Sequence, residues 1–108
     1  MKSTLISIAN DFSPSPAGRY LRDGPFPGEV FRDKILLPAV KENDKVVVDL
    51  DGTDGYGSSF LEEAFGGLVR LGFSPKLLAE KIQLKSTRQS YKLRIWNYIN
   101  SAEYKAGQ

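Results

Sequence analysis

Lys45-Val46-Val47-Val48-Asp49-Leu50-Asp51-Gly52-Thr53-Asp54-Gly55-Tyr56-Gly57-Ser58-Ser59-Phe60-Leu61-Glu62-Glu63-Ala64-Phe65 is the stretch on which the fold turns. Its valine run predicts a strand buried on both faces, as in the middle of a parallel sheet. Gly52 to Gly57 is a glycine-rich loop. Beyond it Phe60, Leu61, Ala64, Phe65, Leu68 and Val69 recur at the spacing of an amphipathic helix. Gly72 is placed to end that helix.

Reading toward the N-terminus, Glu29 to Val40 is helical in pattern, with Val30, Phe31, Ile35, Leu36, Leu37 and Val40 near one face. Pro38 is expected to kink or weaken this helix. Residues 13–28 carry Pro14, Pro16, Gly18, Gly24, Pro25, Pro27 and Gly28, a density that forbids a long helix. An ordered loop or a short edge strand near Arg19–Arg22 is expected there. Leu5-Ile6-Ser7-Ile8 opens the sheet.

Reading toward the C-terminus, Pro75 starts a short helix through Glu80 and Ile82-Gln83-Leu84 alternates as a brief strand. Ser86 or Thr87 caps a last helix that buries Tyr91, Ile95, Tyr98, Ile99 and Ala102. The tail from Lys105 is expected to fray. The order predicts an α/β fold over residues 1–108 as a single domain. Its small sheet has about four strands, mostly parallel or mixed, covered by three to four helices.

Composition narrows the chemistry. The 108 residues are 41% hydrophobic and 26% charged, ordinary for a globular protein. With no cysteine, a disulfide scaffold, a zinc-thiolate site and a thiol nucleophile are excluded. With no histidine, the commonest general base and every Ser-His triad go too. No cofactor and no metal are expected. The N-terminus lacks a signal-peptide pattern and no stretch approaches a membrane span, so a cytoplasmic protein is expected. The oligomeric state stays open.

Asp49-Leu50-Asp51-Gly52-Thr53 after the valines spells the first motif of haloacid-dehalogenase-like phosphatases. That chemistry needs further acidic residues downstream, and no Asp follows Asp54. The plainer reading is a strand end at Asp49 and Asp51 with a turn at Asp51-Gly52. Ser59 and Glu62 fit the S-x-x-E capping box, with Ser59 as N-cap. Ser58 then stands one step outside the helix, where a phosphoryl group would meet unpaired N–H groups and the positive end of the helix dipole. The competing expectation is that both serines simply cap the helix.

Val46 to Leu68 resembles the core of STAS domains, the sulphate-transporter and anti-sigma-factor-antagonist fold. A wider run resembles STAS-like bacterial proteins of undefined function. It includes Arg19-Tyr20, Asp23-Gly24-Pro25-Phe26, Gly28-Glu29-Val30-Phe31-Arg32 and Ser58 to Gly66. The resemblance spans roughly residues 5–73 and implies a non-catalytic regulatory module for protein–protein interaction. In anti-sigma antagonists the serine at the position of Ser58 is phosphorylated by a histidine-kinase-like ATPase, which breaks their complex. The resemblance thus implies Ser58 as phosphoacceptor, Ser59 as second choice, and such an ATPase as partner. Two positions depart from the pattern. Gly57 stands where an Asp usually precedes the serines, and Phe60 stands where a Gly usually follows.

Partner-binding residues are expected at Arg19, Arg22, Asp51, Asp54, Tyr56, Gly57 and Phe60, the arginines sitting in the Pro/Gly loop. The bland expectation for Arg19, Arg22 and Arg32 is surface ion pairs with Asp23, Glu29 or Asp33. Charge is uneven: residues 1–73 hold 8 Lys/Arg and 11 Asp/Glu, whereas residues 74–108 hold 7 and 2. Lys85, Arg88, Lys92 and Arg94 with Trp96 therefore raise an alternative, a small basic nucleic-acid-associated regulator, with Trp96 packed over the stems of Arg88 and Lys92.

Overall fold

The computed structural model describes residues 1–104; the expected fraying from Lys105 lies outside them. Strands β1 (Ser3–Ser7), β2 (Lys45–Asp49) and β3 (Ile82–Lys85) form one sheet in the order β1-β2-β3, parallel at both junctions. The valine run is indeed central. Helix α1 occupies residues 28–42, α2 residues 58–70, α3 Pro75–Lys81 and α4 Gln89–Ser101.

The α/β class stands, with three strands among the described residues where about four were expected. The stretch near Arg19–Arg22 is no edge strand. Leu21–Asp23 is a single 3-10 turn, because the Asp23 carboxylate accepts from the backbone N–H of Tyr20 at 2.8 Å and of Arg19 at 3.0 Å. Those two donors are spent locally and cannot pair with a strand.

Strands that follow one another across a parallel sheet by right-handed crossovers put every connecting helix on the same face. Burial agrees. Ile6, Ile8, Val46, Val48, Leu50, Ile82 and Leu84 face the helices and are buried. On the opposite face Leu5 is 61% exposed, Val47 is half-buried and Gln83 exposed. The expectation that β2 is buried on both faces is therefore corrected: only one face is covered.

Helix α2 departs from its reading in the other direction. Phe60, Leu61, Ala64, Phe65, Leu68 and Val69 are fully buried as the stripe predicts, but Glu63, Gly66 and Gly67 are buried too. It is a central helix, with α1 on one side and α4 on the other, and not a surface amphipathic one. Glycines permit the close approach. A Cβ on Gly28 of α1 would stand 2.5 Å from the Phe60 carbonyl oxygen. Gly72 (φ +109) ends α2: Phe73 N–H donates to Leu68 O and Gly72 N–H to Val69 O, the Schellman pattern.

Pro38 neither breaks nor ends α1. A π turn, Arg32–Leu36, lies just ahead of it, with Leu37 N–H donating to Arg32 O. Widening the helix there absorbs the donor that proline lacks. Pro75 opens α3 as expected, behind an N-cap Ser74 whose Oγ accepts from Leu77 N–H at 3.1 Å. The predicted caps of α4 are corrected. Its N-cap is Arg88, with no side-chain cap bond.

A chain of aromatic rings underlies the carboxyl ends of the strands. Phe26, Phe12, Phe31, Phe60, Tyr56 and Tyr91 touch in succession, with centroids 5.1–5.9 Å apart. The rings tie the Pro/Gly loop, α1, α2 and α4 into one support.

Candidate binding site at the carboxyl ends of the strands

In open parallel sheets ligands bind beyond the carboxyl ends of the strands, and the loop 50–57 lies there. Gly52 turns with φ +97, a conformation glycine adopts without strain. Asp49 Oδ1 accepts from Asp51 N–H at 3.0 Å. Asp51 Oδ1 accepts from Thr87 N–H at 2.9 Å and Thr87 Oγ1 at 3.0 Å. The Thr87 backbone bond is the largest influence holding the Asp51 carboxyl below its usual range. Asp54 accepts from Ser15 Oγ at 2.9 Å and donates its N–H to Pro14 O. The acids of this loop thus stitch it to the β3–α4 junction on one side and to the Pro/Gly loop on the other.

A cleft of about 270 Å³ opens between Asp51–Gly55 and Thr87, Arg88 and Tyr91. The Arg88 guanidinium stands 5.9 Å over the Tyr91 ring. Sequence reading named none of Thr87, Arg88 and Tyr91 as part of this site. The Asp51–Thr87 bond joins residues 36 apart, and only the β2–β3 register brings them together.

Tyr56 and Phe60, expected to meet a partner, belong to the core. Phe60 is fully buried and Tyr56 is 7% exposed, its hydroxyl donating to Leu50 O at 2.7 Å. Burial pushes the Tyr56 phenol up to about 12. Both residues shape the rim from beneath. Gly57, Ser58 and Ser59 are exposed.

The capping box is corrected. Gly57 is the N-cap of α2, with no side-chain cap bond, and Ser58 is the first helical residue. Glu62 turns away to accept from Arg19 at 2.6 Å and from Arg70 at 2.7 Å. Neither serine is spent on capping.

Arg19 is not free either. It binds Glu62 and, at 2.9 Å, Glu63, which it clamps from the Pro/Gly loop. The Glu62 hydrogen bond is the main reason its pKa is raised. Its guanidinium pairs with neither Asp23 nor Glu29. Arg32 does pair with Asp33 at 2.8 Å, and also with the buried Glu63. Burial alone would lower the Arg32 pKa, and these two acids outweigh it. Arg22 makes no ion pair with Asp23 or Glu29; it lies over the Tyr20 ring at 4.9 Å.

The basic residues of the last third divide between two places. Arg88 lines the carboxyl-end cleft, whereas Lys92 and Trp96 line another beside β3 with Lys45 and Lys81. Arg88 lies over Tyr91 and not beneath Trp96. Lys81 Nζ donates to Val40 O and Asn43 O, and Lys45 Nζ to Glu80 O, so both ammonium groups sit at helix carboxyl ends. Among the described residues no cluster of three or more acidic residues could hold a metal ion, and no helix is long and apolar enough to cross a membrane.

The family model described as STAS-like domain of unknown function (DUF4325) matches residues 27–92, from just before α1 into α4. The chain belongs to this family. No curated protein and no solved structure matches it. In this STAS-like domain the match spans β2, the loop 50–57 and the serine pair, so the rim lies inside the part that defines the family. At the coarse level the family fits a regulatory module.

Proposed function

We propose that the protein works by binding and not by catalysis, as a partner-switching module whose phosphoacceptor is Ser58. The partner reads the rim formed by Asp51–Ser59, Thr87 and Arg88. A histidine-kinase-like ATPase moves the γ-phosphoryl group of ATP to Ser58 Oγ, releasing ADP and the hydroxyl proton. The observation that carries this reading is the exposed Ser58-Ser59 pair at a helix start without a side-chain cap. First-turn N–H groups and the helix dipole favour an anion there. The phosphoryl group adds about −1.5 to −2 charge, comparable to the chain's whole net charge of +2.

Gly57 departs from the anti-sigma-antagonist pattern, but its surroundings do not demand glycine. A Cβ built on it meets nothing within 4 Å, so the acid that anti-sigma antagonists carry at this position has room here. The test incubates the purified protein with ATP and a candidate ATPase of this type that binds it, then locates phosphate by fragmentation mass spectrometry. Label on Ser58, abolished in Ser58→Ala, is the expected result. A binding ATPase that leaves Ser58 and Ser59 unlabelled overturns the switch.

A further inference from the structure

The sheet ends at β1 with one edge unpaired among the described residues. Which backbone groups face that edge follows from the register. Lys45 N–H donates to Lys2 O, and Leu50 N–H donates to Lys85 O. Odd residues of β2 therefore bond toward β1 and even ones toward β3. On β1 the even residues Thr4 and Ile6 point at β2, and Ser3, Leu5 and Ser7 point outward. The Ser7 N–H is covered by the Asp11 carboxylate at 2.7 Å. Ser3 and Leu5 are left, and Leu5 is 61% exposed.

A groove of about 400 Å³ runs beside this edge, walled by Lys34, Ile35, Pro38, Ala39 and Glu42 of α1. Lys34, Pro38 and Glu42 lie four residues apart in turn, one row along the helix. Lys34 and Glu42 are exposed and Pro38 is half-buried. The row carries opposite charges at its two ends and none at its centre.

Height matches too. Asp44 N–H donates to Lys2 O and Lys2 N–H to the Asp44 carboxylate, so the foot of α1 is level with Lys2. From Asn43 the helix climbs about 8 Å to Pro38, and from Lys2 the strand climbs about 7 Å to Thr4. Pro38 and Thr4 therefore stand side by side.

We propose that the β1 edge is the interface with a second copy of this chain, related by a two-fold axis through Thr4 and Pro38. Ser3 of each copy then faces Leu5 of the other, and the two pairs exchange four backbone hydrogen bonds, using the outward groups that Asp11 leaves uncovered. Thr4 faces its own copy. Along the groove each Lys34 meets the other copy's Glu42, with Ile35, Pro38 and Ala39 between. The result is a continuous sheet, antiparallel at its centre, and the Ser58 rim is left open. The β3 edge is a poorer seam, since Lys85 and Lys92 flank it and a two-fold there would bring like charges together.

Sedimentation equilibrium of the full chain tests this. The wild type is expected to self-associate to a dimer. Leu5→Lys, on an exposed edge, and Glu42→Lys, which turns two attractive pairs repulsive, each weaken the dimer by about tenfold or more. The double swap Lys34→Glu with Glu42→Lys restores it. Circular dichroism identical to wild type keeps loss of folding apart from loss of pairing. A chain that stays monomeric up to about 1 mM overturns the proposal. So does a dimer indifferent to Leu5→Lys or Glu42→Lys, or one that the swap fails to rescue.

Discussion

Gly28 and Gly57 differ in what one added methyl group would meet. At Gly28 it strikes the Phe60 carbonyl oxygen at 2.5 Å, and Ala64 N at 3.2 Å. Both atoms are backbone of α2 and cannot step aside, so Gly28→Ala is expected to destabilise by about 1–3 kcal/mol in urea unfolding. At Gly57 the space is open, and the backbone (φ −78) suits any residue. Gly57→Asp supplies the missing side-chain cap bond and is expected to stabilise by a few tenths of a kcal/mol in the same measurement. Tyr56 gives a spectroscopic marker of the rim. Its folded pKa of about 12 exceeds the ordinary 10, so the folded state keeps its proton after the unfolded state has lost it. The stability that Tyr56 contributes is therefore flat in pH below about 10 and falls between 10 and 12, and absorbance titration should show this tyrosine ionising late. The serine pair itself was legible in the sequence. Its capping role was misread because the S-x-x-E pattern assumes an idle Glu62, and Arg19 holds that carboxylate from 43 residues away.

Elements succeed or fail as readings according to where their partners lie. The α2 stripe is local periodicity and was legible; the burial of its opposite side depends on α1 and α4 and was not. The clearest case is Glu63, 7% exposed within α2, where it binds Arg19 and Arg32 from outside the helix and Arg70 from within it. Removing one partner strands buried charge, so Glu63→Ala is expected to cost about 3 kcal/mol or more in urea unfolding. Glu62 is the acid-sensitive member. Burial alone would raise its pKa, but hydrogen bonds from Arg70 and Arg19 more than offset this and hold it below 4.5. A lowered folded pKa gives stability that is present above 4.5 and lost as pH falls through the folded value. Arg70→Ala removes one of those bonds and should move acid unfolding to higher pH, followed by circular dichroism.

For the molecule as a whole, the alternation of strand and helix made the α/β class legible, and the valine run marked the central strand. The one-sided sheet was not legible, since a run such as Val46-Val47-Val48 reads the same whether one face or both are covered. The rim is also a whole-molecule property. Asp51 came from the strand motif, but Thr87, Arg88 and Tyr91 join it only because β3 pairs with β2. Ser58 is set on that rim by the aromatic rings beneath and by the loops stitched to Asp51 and Asp54. In the proposed switch, charge at Ser58 controls partner binding. Isothermal titration of the ATPase partner into wild type, Ser58→Ala and Ser58→Asp measures it most directly. Ser58→Ala is expected to bind as wild type does and Ser58→Asp about tenfold or more weakly. Equal affinities for all three would contradict it.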